Sequence, residues 1–213
     1  MKSATLPKPR SCECSSLEPR RLCAATITAV FTDDRVLEIT GTRRSDDIAI
    51  LEHFPGIGIY DIFANGGLFR QFGIGLSPHS FRITGGGGND ELSVAANVAF
   101  PAVLLGGRGN DTLSGAAGND KLDGGPGRDV LTGNAGNDTL FGRNGADSLT
   151  GGDGDDVLNG GGGRDTLSGE AGNDSVIGGP ARDAITGGTG ADVFSGRDRD
   201  AEITDLLIED SRQ

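Results

Sequence analysis

A nine-residue repeat runs without interruption from Gly106 to Ser195. Ten consecutive blocks fit the pattern Gly-x-x-Gly-x-Asp-x-apolar-x, and the first block reads GGRGNDTLS. The first position is Gly in every block, and the fourth is Gly in every block except the one that contains Ala181. Because a fixed period of this kind is typical of structural units that stack on their neighbours, the repeat predicts a solenoid rather than an ordinary globular core.

Two further positions of the block never change in character. The sixth position is Asp in all ten blocks, at Asp111, Asp120, Asp129, Asp138, Asp147, Asp156, Asp165, Asp174, Asp183 and Asp192. The eighth position is apolar in all ten, at Leu113, Leu122, Leu131, Leu140, Leu149, Leu158, Leu167, Val176, Ile185 and Phe194. The repeat therefore specifies one carboxylate and one buried side chain per block.

The local chemistry of the block divides it into a turn and a strand. Gly adopts backbone conformations closed to other residues, so the segment Gly-x-x-Gly-x-Asp favours a tight turn. In the following x-apolar-x triplet, one side chain points inward and its two neighbours point outward, as in a short strand. We therefore predict an all-β fold, a parallel β-roll or β-solenoid with two nonapeptides per rung.

Composition excludes several classes of function. The chain has 38 Gly, no Trp, and 31 acidic against 19 basic residues, which gives a net charge of −12. This charge disfavours nucleic acid and anionic membranes as partners, and no stretch reaches the roughly 18 apolar residues of a membrane span. A disordered acidic linker would share this composition, but it would not explain the constant apolar eighth position.

The stacked turns require a counter-charge. On each edge of the roll, the aspartates would lie about 4.8 Å apart, one per rung, and repel one another. The basic residues occupy scattered block positions and form no matching ladder, at Arg108, Lys121, Arg128, Arg143, Arg164 and Arg182. We therefore predict a bound cation. Carboxylate and carbonyl oxygens favour Ca²⁺ over Mg²⁺, and the absence of Cys and His from the repeat disfavours zinc, copper and iron.

The blocks GGRGNDTLS, GAAGNDKLD, GGPGRDVLT and GNAGNDTLF resemble the RTX (hemolysin-type) calcium-binding nonapeptide. The resemblance implies a parallel β-roll with Ca²⁺ between turns stacked on the same edge. One edge would carry Asp111, Asp129, Asp147, Asp165 and Asp183, and the other Asp120, Asp138, Asp156, Asp174 and Asp192. Five turns per edge leave four gaps, so the resemblance implies about eight calcium sites.

One upstream match and five departures modify this scheme. Gly85 to Ser93 reads GGGGNDELS, and its Asp90 precedes Asp111 by 21 residues, one 18-residue rung plus three, which predicts a ninth site. The second position departs from Gly at Ala116, Asn134, Arg143 and Glu170, and the fourth departs at Ala181. Since residues with a Cβ adopt left-handed geometry less readily, we expect the Asp183 turn to be the weakest.

The flanks divide into three further segments. Residues 26–105 are predicted to form a β-rich N-terminal cap with degenerate rungs, including a hairpin around Asp33 and Asp34, a degenerate turn that ends in Asp46, and strands at 57–63, 73–76 and 81–84. The roll itself is assigned to 106–195. Residues 196–213 are predicted to be a C-terminal cap or tail, in which Ile203, Leu206, Leu207 and Ile208 could cover the last rung.

Residues 1–25 are predicted to be a disordered leader. They lack the apolar core of a secretory signal peptide, and Cys12, Cys14 and Cys23 match no zinc pattern or disulfide framework. The segment SLEPRRL at 16–22 resembles the LEPR-type leader of exported bacterial surface proteins. That resemblance implies export.

Two functional hypotheses follow. The first is a secreted bacterial calcium-binding β-roll at the cell surface or in the extracellular space, a non-enzymatic surface, matrix or adhesion element. The alternative is an accessory module for secretion or polysaccharide binding, like those attached to exported carbohydrate-modifying enzymes, with acidic polysaccharide or the cell surface as partner.

We predict no catalytic site. His53 and His79 are the only histidines, and neither accompanies a nucleophile motif or a second metal-binding His, so they are expected to be structural. The ten Asp recur as a scaffold would, whereas an active site is a single asymmetric place. The sequence does not indicate the oligomeric state.

Overall fold

The computed structural model describes residues 28–32, 34–54, 59–64, 67–72, 79–195 and 202–203. Every regular element in these ranges is a β-strand, and they include no helix long and apolar enough to cross a membrane. The strands are β1 (Thr28–Phe31), β2 (Val36–Thr40), β3 (Asp47–Phe54), β4 (Ile59–Ala64), β5 (Gly67–Phe72), β6 (Ser80–Gly87), β7 (Glu91–Val94), β8 (Ala102–Arg108), β9 (Thr112–Ser114), β10 (Lys121–Pro126), β11 (Val130–Ala135), β12 (Thr139–Asn144), β13 (Ser148–Asp153), β14 (Val157–Gly162), β15 (Thr166–Ala171), β16 (Ser175–Ile177), β17 (Ala184–Thr189), β18 (Val193–Ser195) and β19 (Glu202–Ile203).

The chain winds between two sheets. One sheet has the strand order β1-β2-β6-β8-β10-β12-β14-β16-β18, and the other has the order β19-β17-β15-β13-β11-β9-β7-β3-β4-β5. From β6 onward, successive strands alternate between the two sheets, and neighbours within a sheet are parallel. The prediction of an all-β parallel roll with two nonapeptides per rung is confirmed.

The 18-residue register places equivalent block positions side by side. Leu122 of β10 pairs with Leu104 of β8 and with Leu140 of β12, and Leu131 pairs with Leu113 and Leu149 in the opposite sheet. The eighth-position side chains from Leu113 to Ile185 are at most 3% exposed and form one continuous core between the sheets. A single block could not bury its own Leu, so stacking provides the apolar contacts that the fold needs.

The N-terminal flank continues the same two sheets. The predicted hairpin is confirmed, since β1 pairs with β2 in antiparallel register. Strand β2 then pairs with β6, and β3 with β7, in parallel register, while β4 and β5 extend the second sheet as antiparallel strands. The predicted strands at 57–63 and 81–84 correspond to β4 and β6. The one at 73–76 lies outside the described residues.

At the C-terminal end, the short strand β19 pairs with β17 and continues the second sheet. Leu206, Leu207 and Ile208 lie outside the described residues, as do the three cysteines and the segment 16–22. The division at 25/26, 105/106 and 195/196 remains a prediction.

Candidate metal centre

The turns of the roll form two edges. The first edge joins each strand of the first sheet to the next strand of the second, and comprises the turns 41–46, 85–90, 106–111, 124–129, 142–147, 160–165 and 178–183. The second edge returns the chain to the first sheet, and comprises the turns 115–120, 133–138, 151–156, 169–174 and 187–192. Each turn ends in the sixth-position Asp.

The sixth-position aspartates of each edge form a hydrogen-bonded column, which we call an aspartate ladder. The backbone N–H of each Asp donates to Oδ1 of the Asp in the following turn, as in the bond from Asp111 to Asp129 at 2.8 Å and from Asp138 to Asp156 at 2.7 Å. The first ladder contains Asp46, Asp90, Asp111, Asp129, Asp147, Asp165 and Asp183, and the second contains Asp120, Asp138, Asp156, Asp174 and Asp192.

All eleven predicted site residues therefore lie in these ladders. Asp90 stands directly before Asp111, since its N–H donates to Asp111 Oδ1 at 2.8 Å despite the three extra residues between them. Asp46, the last residue of the degenerate turn 41–46, extends the first ladder by one more turn through a 2.7 Å bond to Asp90. Asp192 ends the second ladder and is half-buried, whereas the others are almost fully buried.

The second carboxylate oxygen is the unusual feature of the ladders. While Oδ1 accepts a backbone hydrogen bond, Oδ2 is buried and has no hydrogen-bond partner at Asp90, Asp111, Asp129, Asp138, Asp147, Asp156, Asp165 and Asp174. A buried carboxylate oxygen without a partner costs substantial free energy, and the large majority of buried polar side-chain atoms in native proteins have a partner. A recurring array of such oxygens therefore indicates a ligand that carries positive charge.

The first-position glycine shapes the space beside each of these oxygens. A Cβ built on Gly142 would lie 2.6 Å from Asp147 Oδ2 and 2.6 Å from the carbonyl oxygen of Gly160 in the next turn. A Cβ on Gly160 would likewise lie 2.5 Å from Asp165 Oδ2 and 2.8 Å from the carbonyl oxygen of Gly178. Oxygens from two successive turns thus surround a small space, which we call the cradle. Any side chain at the first position would fill it.

Burial changes the ionisation of the ladder. Desolvation raises the pKa of Asp129 and of Asp138 to about 7, and the charges of neighbouring ladder carboxylates raise it further, although each backbone hydrogen bond lowers it. The same causes raise the pKa of Asp90, Asp156 and Asp165 to about 6. Without a cation, these carboxyl groups would therefore be partly protonated near neutral pH.

The first turn of each ladder departs from this arrangement. In the turn 41–46 the N–H of Thr42 donates to Asp46 Oδ2 at 2.6 Å, and in the turn 115–120 the N–H of Ala116 donates to Asp120 Oδ2 at 2.6 Å. Asp120 Oδ1 also accepts from the N–H of Ala102 at 2.7 Å. Backbone groups satisfy both oxygens of the Asp120 carboxylate. This predicted ligand is therefore less available to a cation than the other ladder carboxylates are.

Backbone geometry at the second position explains the difference. Asn134, Arg143 and Glu170 adopt positive φ of 83°, 82° and 77°, as the glycines at this position in other turns do. Thr42 and Ala116 do not, and their N–H groups turn toward the carboxylate of their own turn instead. At the fourth position, Ala181 has a φ of 134°, a strained value for a residue with a Cβ, and the expectation that its turn is weak stays a prediction.

The donor set suits a hard cation with flexible coordination. Among the residues that the structure describes, no three His, Cys, Asp or Glu side chains converge on one point. A cation between two turns would therefore combine one or two carboxylates with several backbone carbonyl oxygens, a set that Ca²⁺ accepts and that zinc or copper does not prefer.

Comparison with known proteins supports this interpretation. The family profile described as the RTX calcium-binding nonapeptide repeat matches residues 82–96, 103–131, 132–167 and 159–194, which together span half of the chain. The chain belongs to this family. It carries calcium-binding repeats folded as a β-roll, and the first matched segment includes the Asp90 turn. No curated protein and no solved structure matches the chain.

The RTX turns also contain a hydrogen-bonded column at the fifth block position, which was not predicted from the sequence. Side chains at the fifth position accept hydrogen bonds from the backbone of the following turn. Asn119 accepts from Asn137 at 3.0 Å, Asn137 from Asp155 at 3.1 Å, and Asp155 from Asn173 at 2.8 Å. The sequence signal for this column is the recurrent Asn directly before the sixth-position Asp, because short polar side chains commonly bond to nearby backbone groups.

The basic residues are also less scattered than their block positions suggest. Arg108, Arg128, Arg143, Arg164 and Arg182 all lie in turns of the first edge. The turns of the second edge contain no basic residue. Their positions within the block still differ, but alternate blocks go to opposite edges and all five arginines fall in odd-numbered blocks.

The structure describes the surroundings of one of the two histidines that are expected to be structural. The His79 ring lies 3.3 Å from the Arg35 guanidinium at an exposed position, next to the β1–β2 hairpin. The side chain of His53 lies outside the described part of the chain. The RTX repeat is a structural calcium-binding element, and its repeated carboxylates have no unique partner that would mark one of them as an acid or base.

Proposed function

We propose that this protein is a calcium-folded RTX β-roll that acts outside the bacterial cell as a non-enzymatic surface, matrix or adhesion element. The observation that carries the proposal is the array of buried Oδ2 atoms without a hydrogen-bond partner along both ladders. Calcium ions between successive turns would satisfy these oxygens and neutralise the repulsion between stacked carboxylates.

The energetics favour calcium as a switch between unfolded and folded chain. At a calcium concentration ten times the Kd, each site would stabilise the folded state by about 1.4 kcal/mol. About eight sites would then contribute on the order of 11 kcal/mol, which is comparable to the whole stability of a typical domain. Occupancy alone would decide whether the roll forms.

The calcium affinity bears on where the protein acts. Sites in extracellular modules have Kd values of roughly 10⁻⁴ to 10⁻³ M, whereas cytosolic sensors bind at about 10⁻⁷ to 10⁻⁵ M. An RTX roll built from neutral carbonyls and one or two carboxylates per site belongs with the weaker class. The chain would then stay unfolded in the low-calcium cytosol and fold after export.

The test is a calcium titration of the full chain, followed by far-UV circular dichroism from EGTA to 10 mM Ca²⁺, with Mg²⁺ as control. We expect a steep rise in β signal that Mg²⁺ does not reproduce, with a midpoint between about 0.1 and 1 mM. A β signal unchanged by calcium would contradict calcium-dependent folding. A midpoint in the micromolar range or below would contradict the extracellular assignment while leaving calcium folding intact.

The accessory polysaccharide-binding hypothesis has one observation in its favour, the concentration of arginines on the first edge. It does not compete with calcium folding, since a folded roll is what presents that edge.

A further inference from the structure

The two edges of the roll differ in charge. Within the ten blocks, the first-edge turns contain five Arg and five Asp, and the second-edge turns contain eight acidic residues and no basic one. Calcium bound along the first ladder would offset its five Asp and leave the arginines as a net positive edge. This step rests on the proposed calcium function, because without the cation the first-edge charges cancel.

The positive edge has shape as well as charge. Arg128 and Arg164 occupy the fifth position in turns two rungs apart, and the turn between them carries the small Ala146 at that position. A notch of about 520 Å³ results, lined by both arginines and by Ala146, Val130, Ser148 and Thr166. Asp129 and Asp147 also line it, and calcium bound along the first ladder would neutralise their carboxylates. A second notch of about 370 Å³, lined in part by Asp165 and Asp183, lies between Arg164 and Arg182, so that Arg164 borders both.

We propose that the larger notch binds an extended acidic polysaccharide, with one acidic group at Arg128, another at Arg164 and the sugar rings along the edge between them. A guanidinium forms paired hydrogen bonds with a carboxylate or sulfate, and the exposed arginines can reach such groups on a polymer that lies along the roll. The 44% exposed Val130 and the methyl of Ala146 offer an apolar surface to a sugar ring, while Ser148 and Thr166 offer hydroxyl groups.

The spacing of the arginines favours a polysaccharide over nucleic acid. Adjacent rungs lie about 4.8 Å apart, so neighbouring arginines stand one or two rungs apart, about 5 to 10 Å. An extended sugar chain advances by a similar length per residue, whereas each strand of duplex DNA carries one charge per roughly 3.4 Å of helix axis. Neither notch is lined by an aromatic side chain on which a base could stack.

The width of the site disfavours a membrane. The arginines all lie in the turns of the first edge, a strip one turn wide, and the turns of the second edge contain no basic residue. A lipid surface would engage a broad face, while a linear polymer engages a line.

The test measures binding of tetragalacturonate to the calcium-saturated full chain by isothermal titration calorimetry, with neutral maltotetraose as control. A tetramer is used because longer polyuronates form gels with calcium. We expect binding that weakens as salt rises, and no binding of maltotetraose. Arg164→Gln should weaken binding about tenfold, the loss of one charge-assisted pair.

Two further variants separate shape from charge. Ala146→Gln fills the larger notch without changing the charge, and should weaken binding severalfold. Arg143→Gln is the matched control, because this arginine lies on the same edge but its guanidinium bonds to Asp123 at 2.6 Å and stands 4.8 Å from the Phe141 ring centre. It should leave binding unchanged. Arg128→Gln replaces Arg164→Gln if the latter fails to fold.

Circular dichroism of each variant in calcium keeps the two proposals apart. A wild-type chain that folds with calcium but does not bind tetragalacturonate would overturn this inference alone. Equal weakening by Arg143→Gln and Arg164→Gln, or no effect of Ala146→Gln, would also overturn it, since either result means that charge acts without the notch. Equally tight binding of a single-stranded oligonucleotide or of anionic phosphatidylglycerol vesicles would assign the edge to another class of partner.

Discussion

The turns 115–120 and 142–147 follow the same pattern but satisfy their aspartates in different ways. In the former, the N–H of Ala116 donates to Asp120 Oδ2, and both oxygens of that carboxylate have backbone partners. In the latter, Arg143 adopts positive φ, its N–H does not reach the carboxylate, and Asp147 Oδ2 is buried without a partner. The conformation of one residue thus decides whether the chain or a cation must balance the charge.

We call the turns 41–46 and 115–120 closed, because a backbone N–H in each of them donates to Oδ2 of the Asp of the same turn. Both closed turns lie at the start of a ladder. The turns that end in Asp46 and Asp120 are the first turns of their ladders, so the ladder begins with a carboxylate that the chain satisfies alone. In eight later turns, from the one that ends in Asp90 to the one that ends in Asp174, the carboxylate instead has a buried Oδ2 without a hydrogen-bond partner. We therefore expect the first turn of each ladder to depend less on a cation than the turns that follow it in the same ladder.

The largest effect is expected from filling a cradle. Gly142→Ala places a methyl group 2.6 Å from Asp147 Oδ2 and 2.6 Å from the Gly160 carbonyl oxygen, where a cation would bind. We expect loss of at least one calcium ion per chain and, from overpacking alone, destabilisation by about 1 to 3 kcal/mol. Calorimetric calcium stoichiometry and the thermal midpoint in 10 mM Ca²⁺ measure both effects.

Gly162→Ala is the control for this experiment. A Cβ on Gly162 would meet no atom closer than 3.4 Å, the Asn144 Oδ1, and its φ lies outside the left-handed region. Calcium stoichiometry should be unchanged. If both glycine variants lost calcium equally, the cradle would not be the site.

Neutralising one carboxylate should have opposite effects with and without calcium. In Asp147→Asn the amide keeps an oxygen for the Asp129 N–H, and the charge disappears. Burial raises the pKa of Asp147, so the charged form costs stability in the chain without calcium. We expect Asn to stabilise any structure that forms in EGTA and to weaken calcium binding, as urea unfolding at both calcium levels would show.

Asp120→Asn should instead destabilise the roll under both conditions. The two carboxylate oxygens accept from the Ala102 and Ala116 N–H groups, so either orientation of the amide would set its NH₂ against one of these donors. A lost buried acceptor costs roughly 1 to 3 kcal/mol. A calcium-dependent change at Asp120 equal to that at Asp147 would show that the two turns bind cations alike.

Much of this architecture could be predicted because a short period encodes it. The 18-residue rung, the buried eighth position and the placement of Asp90 all follow from counting residues. The closed turns could not be predicted in the same way, because whether Ala116 adopts positive φ depends on a hydrogen bond to its own Asp120 that competes with left-handed geometry. The placement of the arginines on one edge could also have been predicted, since Arg128, Arg164 and Arg182 all fall in odd-numbered blocks.

The pH dependence should reverse with calcium. A carboxyl group with a raised folded-state pKa contributes stability that is present below its unfolded value near 3.8 and lost as the pH rises through 6 to 7, the values of Asp90, Asp129 and Asp138. In EGTA, the β signal should therefore increase as the pH falls from 8 to 5. With calcium, protons compete for the same oxygens, so the calcium midpoint should rise over that range. An EGTA signal that decreases on acidification would contradict ladder desolvation.

The smallest expected effect converts a closed turn into an open one. Ala116→Gly restores the residue that most second positions carry, and glycine adopts positive φ without a steric cost. The N–H would then turn away from Asp120 Oδ2 and leave that oxygen to a cation shared with the turn 133–138. We expect one additional calcium ion per chain, offset by the loss of the buried Ala116 methyl, so that the thermal midpoint in calcium changes little.

Ala117→Gly is the matched control, since it adds the same backbone freedom one position later without altering which N–H faces the Asp120 carboxylate. Its calcium stoichiometry should equal that of the wild type. If Ala116→Gly also left the stoichiometry unchanged, the second position would not be the switch. A gain of one calcium ion would instead show that a single side chain determines whether the first turn of the second ladder binds calcium.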